Sequence, residues 1–318
     1  FVGKCPFHNE KTPSFNVNDE KGFFYCFGCK AGGNVINFVS KYKNYSFPES
    51  LRFLANFLGI ELKSSGNNQY NLNKKLFDIL EICNQFFQAC LEKSDYALKY
   101  IESRIPDRKC LKTFSIGYCP DEKKLTDFLN ENGFSLKEIE DSGLFIRNKK
   151  NELFGRFKER IIFPIYNFNN KIVGFGGRSI RNSKIKYINS PESEIFKKGD
   201  ILFGFSQNIQ FIRNCREIFL VEGYLDVISL YNHGVKNAVA TLGTTLSHNQ
   251  INKMWNLSDK PYICFDGDQA GLDSAKIISS KVLKFLEPGK SFRFVFFPNE
   301  HDPDSFISEN SKEEFLSL

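Results

Sequence analysis

The sequence contains no run of about 18 uncharged apolar residues, so it encodes no membrane-spanning helix. No secretory leader is visible. A nucleotide-hydrolysing phosphate loop, G-x4-G-K-[ST], is also missing. Gly289-Lys290-Ser291 is the only Gly-Lys-Ser, and the position that needs the upstream glycine is Lys284. That excludes a phosphate-loop motor in this stretch. Internal repeats are absent. Charge of one sign is not in large excess: 43 basic residues against 37 acidic give +6, which permits a nucleic-acid partner without establishing one. Arginine is scarce, 11 of the 43 basic residues, leaving 32 lysines; with abundant Asn and Phe, an AT-rich genome is enough to produce this bias.

What is present is a globular composition. Hydrophobic residues make up 41% and charged residues 25% of 318, enough for a sizeable core and two or three domains. The nine cysteines are an odd number, and Cys83, Cys90, Cys110 and Cys119 have no ligand-type spacing. This usage fits a reducing cytoplasm with thiols that are buried or metal-bound. The chain opens on Phe1 with a metal-type cysteine already at position 5, so its extreme N-terminus is expected to be missing.

The pattern along the chain predicts an α/β fold, α+β overall. Residues 1–62 read as a small module, with short aromatic strands at 13–18 and 22–26 and helices at 34–42 and 47–59. The polar stretch 63–75 reads as a linker. Residues 76–104 give a helix, a break and a second helix before Pro106. Helices are expected near 122–131 and 135–141, then a hairpin of 160–166 and 171–175 turning at Asn169-Asn170. From 217 onward strands and helices alternate, which predicts a mainly parallel sheet covered on both faces.

Two knuckles carry the first chemical signal. Cys5-Pro-Phe-His8 and Cys26-Phe-Gly-Cys29 are separated by 17 residues. A two-residue gap lets one tight turn present two ligands to one ion, and zinc takes four tetrahedral sulfur or nitrogen ligands. All four positions are filled by protein, so the predicted zinc is structural. A module of roughly 60 residues has too small a core to be secure without such a staple.

Acids carry the second. Glu222 and Asp226 follow the predicted strand at 217–221, Asp266 and Asp268 follow that at 261–265, and His301-Asp302-Pro303-Asp304 comes soon after the strand at 292–297. Ligands of open parallel sheets bind outside the carboxyl ends of the strands. Carboxylates crowded there repel one another unless a cation is present, and oxygen ligands suit Mg2+ or Mn2+. Gly223 and Gly267 are expected to allow the turns that aim the acids. A lone acid of this kind is equally well explained as a helix cap.

The strings Val221-Glu222-Gly223-Tyr224-Leu225-Asp226, Asp266-Gly267-Asp268 and Asp302-Pro303-Asp304 resemble the glutamate and paired-aspartate motifs of Toprim domains. Such domains occur in primases, topoisomerases and some nucleases, and these motifs alone do not choose among them. Residues 154–198 do. Arg156, Lys158 and Arg160 alternate as if on one face of a strand, Gly174-Phe175-Gly176-Gly177-Arg178 follows, and then come Lys186-Tyr187-Ile188-Asn189 and Phe196-Lys197-Lys198-Gly199. Cations on one ridge beside an acidic metal site suit polyphosphate and nucleic-acid backbone. These strings, together with the knuckle segment Cys5–Phe15, resemble bacterial DnaG-type DNA primases over nearly the whole chain, residues 63–110 being the least distinctive.

The resemblance implies a zinc ribbon at 1–62, a linker at 63–75, a mixed α+β basic subdomain at 76–214, a doubly wound Toprim domain at 215–300, and the start of a C-terminal helical subdomain at 301–318. It implies a nucleotidyltransferase that makes short RNA primers on single-stranded DNA. Catalysis would fall to Glu222, Asp266 and Asp268, with Glu222 as ligand or base. One to three Mg2+ or Mn2+ ions would be held by these three with Asp226, Asp302 and Asp304, and one zinc by Cys5, His8, Cys26 and Cys29. Arg156, Arg160, Arg178, Lys186, Asn189, Lys197 and Lys198 would face template or nucleoside triphosphate. Phe24 or Phe27 would stack on bases or else sit in the ribbon core. The implied partners are single-stranded DNA, NTPs, a replicative helicase reached through a C-terminal domain outside this chain, and single-strand-binding protein, at the replisome of a bacterial cytoplasm. The rival readings are a Toprim nuclease and a non-catalytic zinc-ribbon single-strand-binding protein.

Overall fold

Alternating aromatic residues near the N-terminus form short strands because ring side chains pack well on a pleated surface. The computed structural model of the protein describes residues 1–43, 45, 47–58, 67–148, 150–181, 183–243, 246–298 and 301–318. They divide into two units, Phe1–Asn67 and Asn68–Leu318. In the first, β1 (Val2–Gly3), β2 (Phe15–Asn18), β3 (Phe23–Cys26) and β4 (Gly32–Asn34) form an antiparallel sheet in that order, followed by α1 (Val35–Lys43) and α2 (Phe47–Leu58). Its main buried cluster is Phe15, Phe24 and Ala31 with Cys5 and Cys26, flanked by Phe7 and Phe38, and Val39 and Ala55 of the helices are buried as well. So few apolar side chains give little burial energy, and two of the five residues of that cluster belong to the knuckles.

α3 (Asn67–Glu92) starts on the last residue of the first unit and runs into the second, followed there by α4 (Asp95–Glu102) and α5 (Arg108–Thr113). The expected linker is therefore corrected at 67–75, which is helical; 63–66 lie outside the described residues. The apolar face from Leu76 to Leu91 is buried, and extending a helix already anchored by packing costs little per residue even through polar sequence. Next come β5 (Gly117–Cys119), α6 (Glu122–Glu131), α7 (Leu136–Asp141), and the two-stranded pair β6 (Phe145–Arg147) and β7 (Leu153–Gly155). The hairpin β8 (Arg160–Tyr166) and β9 (Ile172–Ser179) turns through Asn170 at φ +56°, and β10 (Tyr187–Asn189) completes an antiparallel sheet ordered β10-β9-β8-β5. Residues 156–159 form a turn, not the expected strand face. Phe157 is drawn wholly into the core and Glu159 takes a left-handed φ of +54°, so alternation fails across Arg156, Lys158 and Arg160.

After α8 (Phe205–Cys215) the chain alternates through β11 (Phe219–Val221), α9 (Tyr224–Asn232), β12 (Ala238–Ala240), α10 (His248–Trp255), β13 (Tyr262–Phe265), α11 (Gln269–Val282) and β14 (Arg293–Phe296). All pairings are parallel, in the order β12-β11-β13-β14. Phe219, Val221, Ala238 and Ala240 pack into one core with Val227 and Ile228 of α9. Leu220, Val239, Ile263 and Phe265 pack into another with Ile251 and Met254 of α10 and Ala275 of α11. Successive strand residues thus enter opposite cores, and the sheet is covered on both faces. The expected boundary between 214 and 215 falls inside the second unit, where Phe163 and Phe203 share a core with Tyr224. Phe306 of α12 (Pro303–Glu309) and Phe315 of α13 (Lys312–Ser317) complete the same core. No helix of the described residues is long and apolar enough to cross a membrane.

Candidate functional site

In the first unit one turn ends in Cys5 and His8 and the other in Cys26 and Cys29, and the four ligand atoms lie within 4.8 Å of one another. Cys5 Sγ is 3.8 Å from Cys29 Sγ, and His8 Nδ1 is 3.8 Å from Cys26 Sγ. Backbone N–H groups of Phe7 and Cys29 donate to Cys5 Sγ and Cys26 Sγ, each at 3.4 Å. Burial works against a Cys26 thiolate, while the Cys29 N–H and the neighbouring Cys5 and Cys29 thiols favour it. Three soft sulfurs and one imidazole nitrogen at this spacing fit zinc, which needs deprotonated thiols. Phe24 is buried, with Phe15, Phe7 and Phe38 rings 5.4–5.6 Å away, whereas Phe27 is exposed beside Tyr25.

In the second unit the acids stand at the carboxyl ends of parallel strands. Glu222 follows β11 and Asp266 follows β13. Gly267 N–H donates to His301 O at 2.8 Å, which draws the turn after β13 toward the segment after β14. A Cβ at Gly267 would collide with the carbonyls of Phe297 and Pro298, so only glycine permits this approach. Gly223, expected to make a similar turn, has ordinary extended backbone; it leaves room for the Asp226 carboxylate instead.

Several of the acids are also helix caps. Asp268 Oδ1 accepts from Gly271 N–H at 2.7 Å, Asp302 Oδ1 from Ser305 N–H at 2.7 Å, and Asp226 Oδ2 from Gly223 N–H at 2.8 Å. Asp304 is 3.5 Å from Arg104 in the segment after α4. Among the described residues, no three of these carboxylates come within the 4.8 Å that the Cys/His cluster achieves. They do interact strongly. Burial, then the charges of Asp302, Asp266 and Asp304, push Asp226 up to about 8 against the opposing Gly223 N–H. Burial, then Glu222, Asp302 and Asp268, push Asp266 up to about 7. Partial desolvation and then Asp268 raise Glu222, an effect blunted by water because that side chain is exposed. Asp266 Oδ1 is buried with no hydrogen-bond partner. An orphaned carboxylate oxygen amid mutually repelling acids is a donor set that fits a hard divalent cation. A cavity of about 250 Å3 opens beside Glu222, lined also by Thr241, Gly243, Phe265, Ser274 and Ile277.

The basic residues are placed by backbone contacts. Arg156 Nε donates to Asn189 O at 2.7 Å, and Arg160 donates to Lys186 O at 3.1 Å and Ile185 O at 3.0 Å. Burial lowers both guanidinium pKa values, and the Arg156 charge lowers Arg160 further, so the two face each other's field. Arg178 is buried between two tyrosines, with Nε donating to Tyr100 OH at 2.6 Å and Nη1 to Tyr187 OH. The loop bearing exposed Lys197 and half-buried Lys198 is held by buried Gln250, whose amide donates to Lys198 O at 3.1 Å and Ile201 O at 2.7 Å. Lys186 is exposed. Among the described residues no carboxylate lies within 4.0 Å of Arg156, Arg160, Arg178, Lys186, Lys197 or Lys198. The acidic and basic sets adjoin: Tyr187, which receives Arg178, feels the Asp226 charge.

Sequence reasoning missed Glu10, Ser14, Tyr100 and Arg104. A carboxylate two residues after a candidate ligand was the available signal for Glu10; Tyr100 and Arg104 meet their partners only across the fold.

Comparison with known proteins matches the fold and its order of domains. Residues 1–70 match the CHC2 zinc finger, 86–209 the N-terminal domain of the DNA primase catalytic core, and 219–307 a Toprim-like domain. A DNA primase of Rickettsia felis is 38% identical over the whole chain, and the chain spans about half (54%) of its length. The zinc-binding and RNA polymerase domains of the Aquifex aeolicus primase superpose with a TM-score of 0.71 at 37% identity, covering 99% of this chain and 77% of that one. A DnaG primase catalytic domain bound to single-stranded DNA gives 0.72 at 31% identity, covering 78% of this chain and 81% of that one. The chain belongs to the DnaG-type DNA primase family, with its zinc ribbon, catalytic core and Toprim domain.

Proposed function

We propose that this chain is the catalytic part of a primase, which joins ribonucleotides into short RNA primers on single-stranded DNA. The observation that carries the reading is the buried, unpartnered Asp266 Oδ1, set among acids that raise one another's pKa at the ends of parallel strands. Glu222, Asp266 and Asp268 would hold divalent metal, Mg2+ or Mn2+, with Asp226, Asp302 and Asp304 around them. A bound ion there supplies positive charge for the attacking 3′-hydroxyl and the departing pyrophosphate.

The chain's own residues do the rest. The 3′-oxygen attacks the α-phosphorus of the next NTP, and the bond from that phosphorus to the pyrophosphate oxygen breaks. The hydroxyl proton passes to solvent or, where Glu222 serves as base in place of ligand, to that exposed carboxylate, whose pKa is raised. Arg156, Arg160, Lys186, Lys197 and Lys198, none with a carboxylate partner among the described residues, supply charge to template and triphosphate phosphates. Arg178 and Asn189 support that surface from within. Exposed Phe27 is the ribbon's stacking residue for template bases. By family, the full-length protein would be recruited by a replicative helicase and work beside single-strand-binding protein.

The test is incorporation of labelled ribonucleotides on random single-stranded DNA with no primer supplied, in Mg2+, Mn2+ or EDTA, beside Asp266→Asn. Short, metal-dependent RNA that vanishes in the variant is expected. Template cleavage in its place would mean a nuclease, and DNA binding without any metal-dependent product would leave a binding module.

A further inference from the structure

The two ring nitrogens of His8 face different groups. Nδ1 looks toward Cys26 Sγ at 3.8 Å, inside the ligand cluster, while Nε2 is 3.2 Å from Glu10 Oε2. A neutral imidazole has one lone pair and one N–H, and a metal takes the lone pair. A carboxylate at Nε2 favours the proton there and leaves Nδ1 free for the ion.

Glu10 is itself held firmly. Its Oε1 accepts N–H from Cys5 at 2.7 Å and from Ser14 at 3.1 Å, and its Oε2 takes the Ser14 hydroxyl as well as His8. Ser14 Oγ in turn accepts the Gly28 N–H at 3.2 Å and lies 3.2 Å from Cys26 Sγ. Glu10 therefore reaches the first knuckle through Cys5 and His8, and the second through Ser14. A Cβ on Gly28 would stand 2.7 Å from His8 Nε2, so the second knuckle closes directly over this contact. The Glu10 side chain is only 10% exposed. The apolar core around it is small, so these polar contacts are a large part of what sets the geometry of the cluster before any ion arrives.

We propose that Glu10 is the positioning residue of the zinc site: it fixes His8 with the proton on Nε2 and Nδ1 toward the ion, and through Ser14 it holds the two knuckles in register. This rests on the zinc assignment. Glu10→Gln keeps the shape but gives up the charge, and it should weaken zinc binding by about 10–100-fold, the usual cost of losing such an outer partner.

The experiment uses the full chain. Zinc affinity is measured by chelator competition for the unaltered protein, Glu10→Gln, His8→Cys and the double variant. The tautomer of His8 is read from 15N ring shifts of the zinc-loaded protein, where four histidines are present and the signals lost in His8→Cys identify position 8. The expected results are an Nε2–H, Nδ1-bound ring in the unaltered protein, a loss of about 10–100-fold in Glu10→Gln, and at most about a threefold further loss when Glu10→Gln is added to His8→Cys, where no imidazole remains to be oriented. Zinc on Nε2 would overturn the inference even if the variants failed to fold. So would an unchanged affinity in Glu10→Gln, or an equal loss in both backgrounds, which would make Glu10 a backbone prop only. Failure of the unaltered chain to take up zinc would remove the site and the inference together.

Discussion

The Tyr224 hydroxyl donates to Asn189 Oδ1 at 2.6 Å, and the Asn189 amide donates to Leu242 O at 3.0 Å. One side chain of the antiparallel sheet thereby ties together the helix after Glu222 and the segment after β12. Asn189→Ala would leave a buried phenol and a carbonyl unpaired. We expect a loss of about 1–3 kcal/mol in stability, measured by urea unfolding, with a similar loss absent from Lys186→Ala.

Asp266→Asn should lower the rate of primer synthesis by at least about 100-fold while single-stranded DNA binding holds or tightens. Removing a charge from an acidic cluster reduces repulsion of phosphate, so the two effects separate. Filter binding and product gels on the same preparation check this; equal loss of both would contradict a catalytic role.

Stability should depend on pH through Asp226 and Asp266. Their folded pKa values, about 8 and about 7, lie above the ordinary value of about 4, so the unfolded chain loses these protons first. Their contribution is fully present below pH ~4 and is lost as pH rises through about 7 and 8. In EDTA the melting temperature should therefore fall across that window relative to Asp226→Asn/Asp266→Asn, and millimolar Mg2+ should reduce the fall. A flat difference between the two proteins would contradict the coupling.

Arg178 and Lys197 should behave differently, although both are cations of the same segment. Arg178 is buried and donates to two tyrosine hydroxyls, so Arg178→Ala should cost about 1.5–3 kcal/mol of stability. Lys197 is exposed. Lys197→Ala should leave the melting temperature unchanged and reduce the salt slope of DNA binding by about 1. Thermal melts and binding at several salt concentrations distinguish the two.

Chelation of zinc should unfold Phe1–Asn67 and spare Asn68–Leu318. Among the described residues the main buried cluster of the first unit has five members, two of them knuckle cysteines, whereas the second unit has three extensive clusters. Circular dichroism after treatment with a strong chelator should show partial loss of structure followed by one remaining cooperative melt.

Much of this architecture is local in origin and was readable as such. The knuckles are two-residue spacings, and the strand–helix alternation after 217 is a change of hydrophobic period. Helices at 122–131 and 136–141 begin at Asp121 and Ser135, whose side chains cap them. The failures are also physical. Polar residues 67–75 carry no apolar pattern, yet they continue a helix whose stability comes from packing further along. Arg156, Lys158 and Arg160 alternate in sequence, but the burial of Phe157 bends the chain into a turn.

The sequence by itself carried the two Cys/His knuckles, the acids at strand ends and the motifs of the family, because each is written in short-range spacing. Only the tertiary structure decided which cations stay free and which are consumed. Arg178 has the same charge in sequence as Lys186, but its partners Tyr100 and Tyr187 lie 78 and 9 residues away and enclose it only when α4 meets β9 and β10. The same holds for Asp304 with Arg104, and for the raised carboxyls of Asp226 and Asp266. Burial and neighbouring charge set those pKa values, and both exist only once distant strands have brought their ends together.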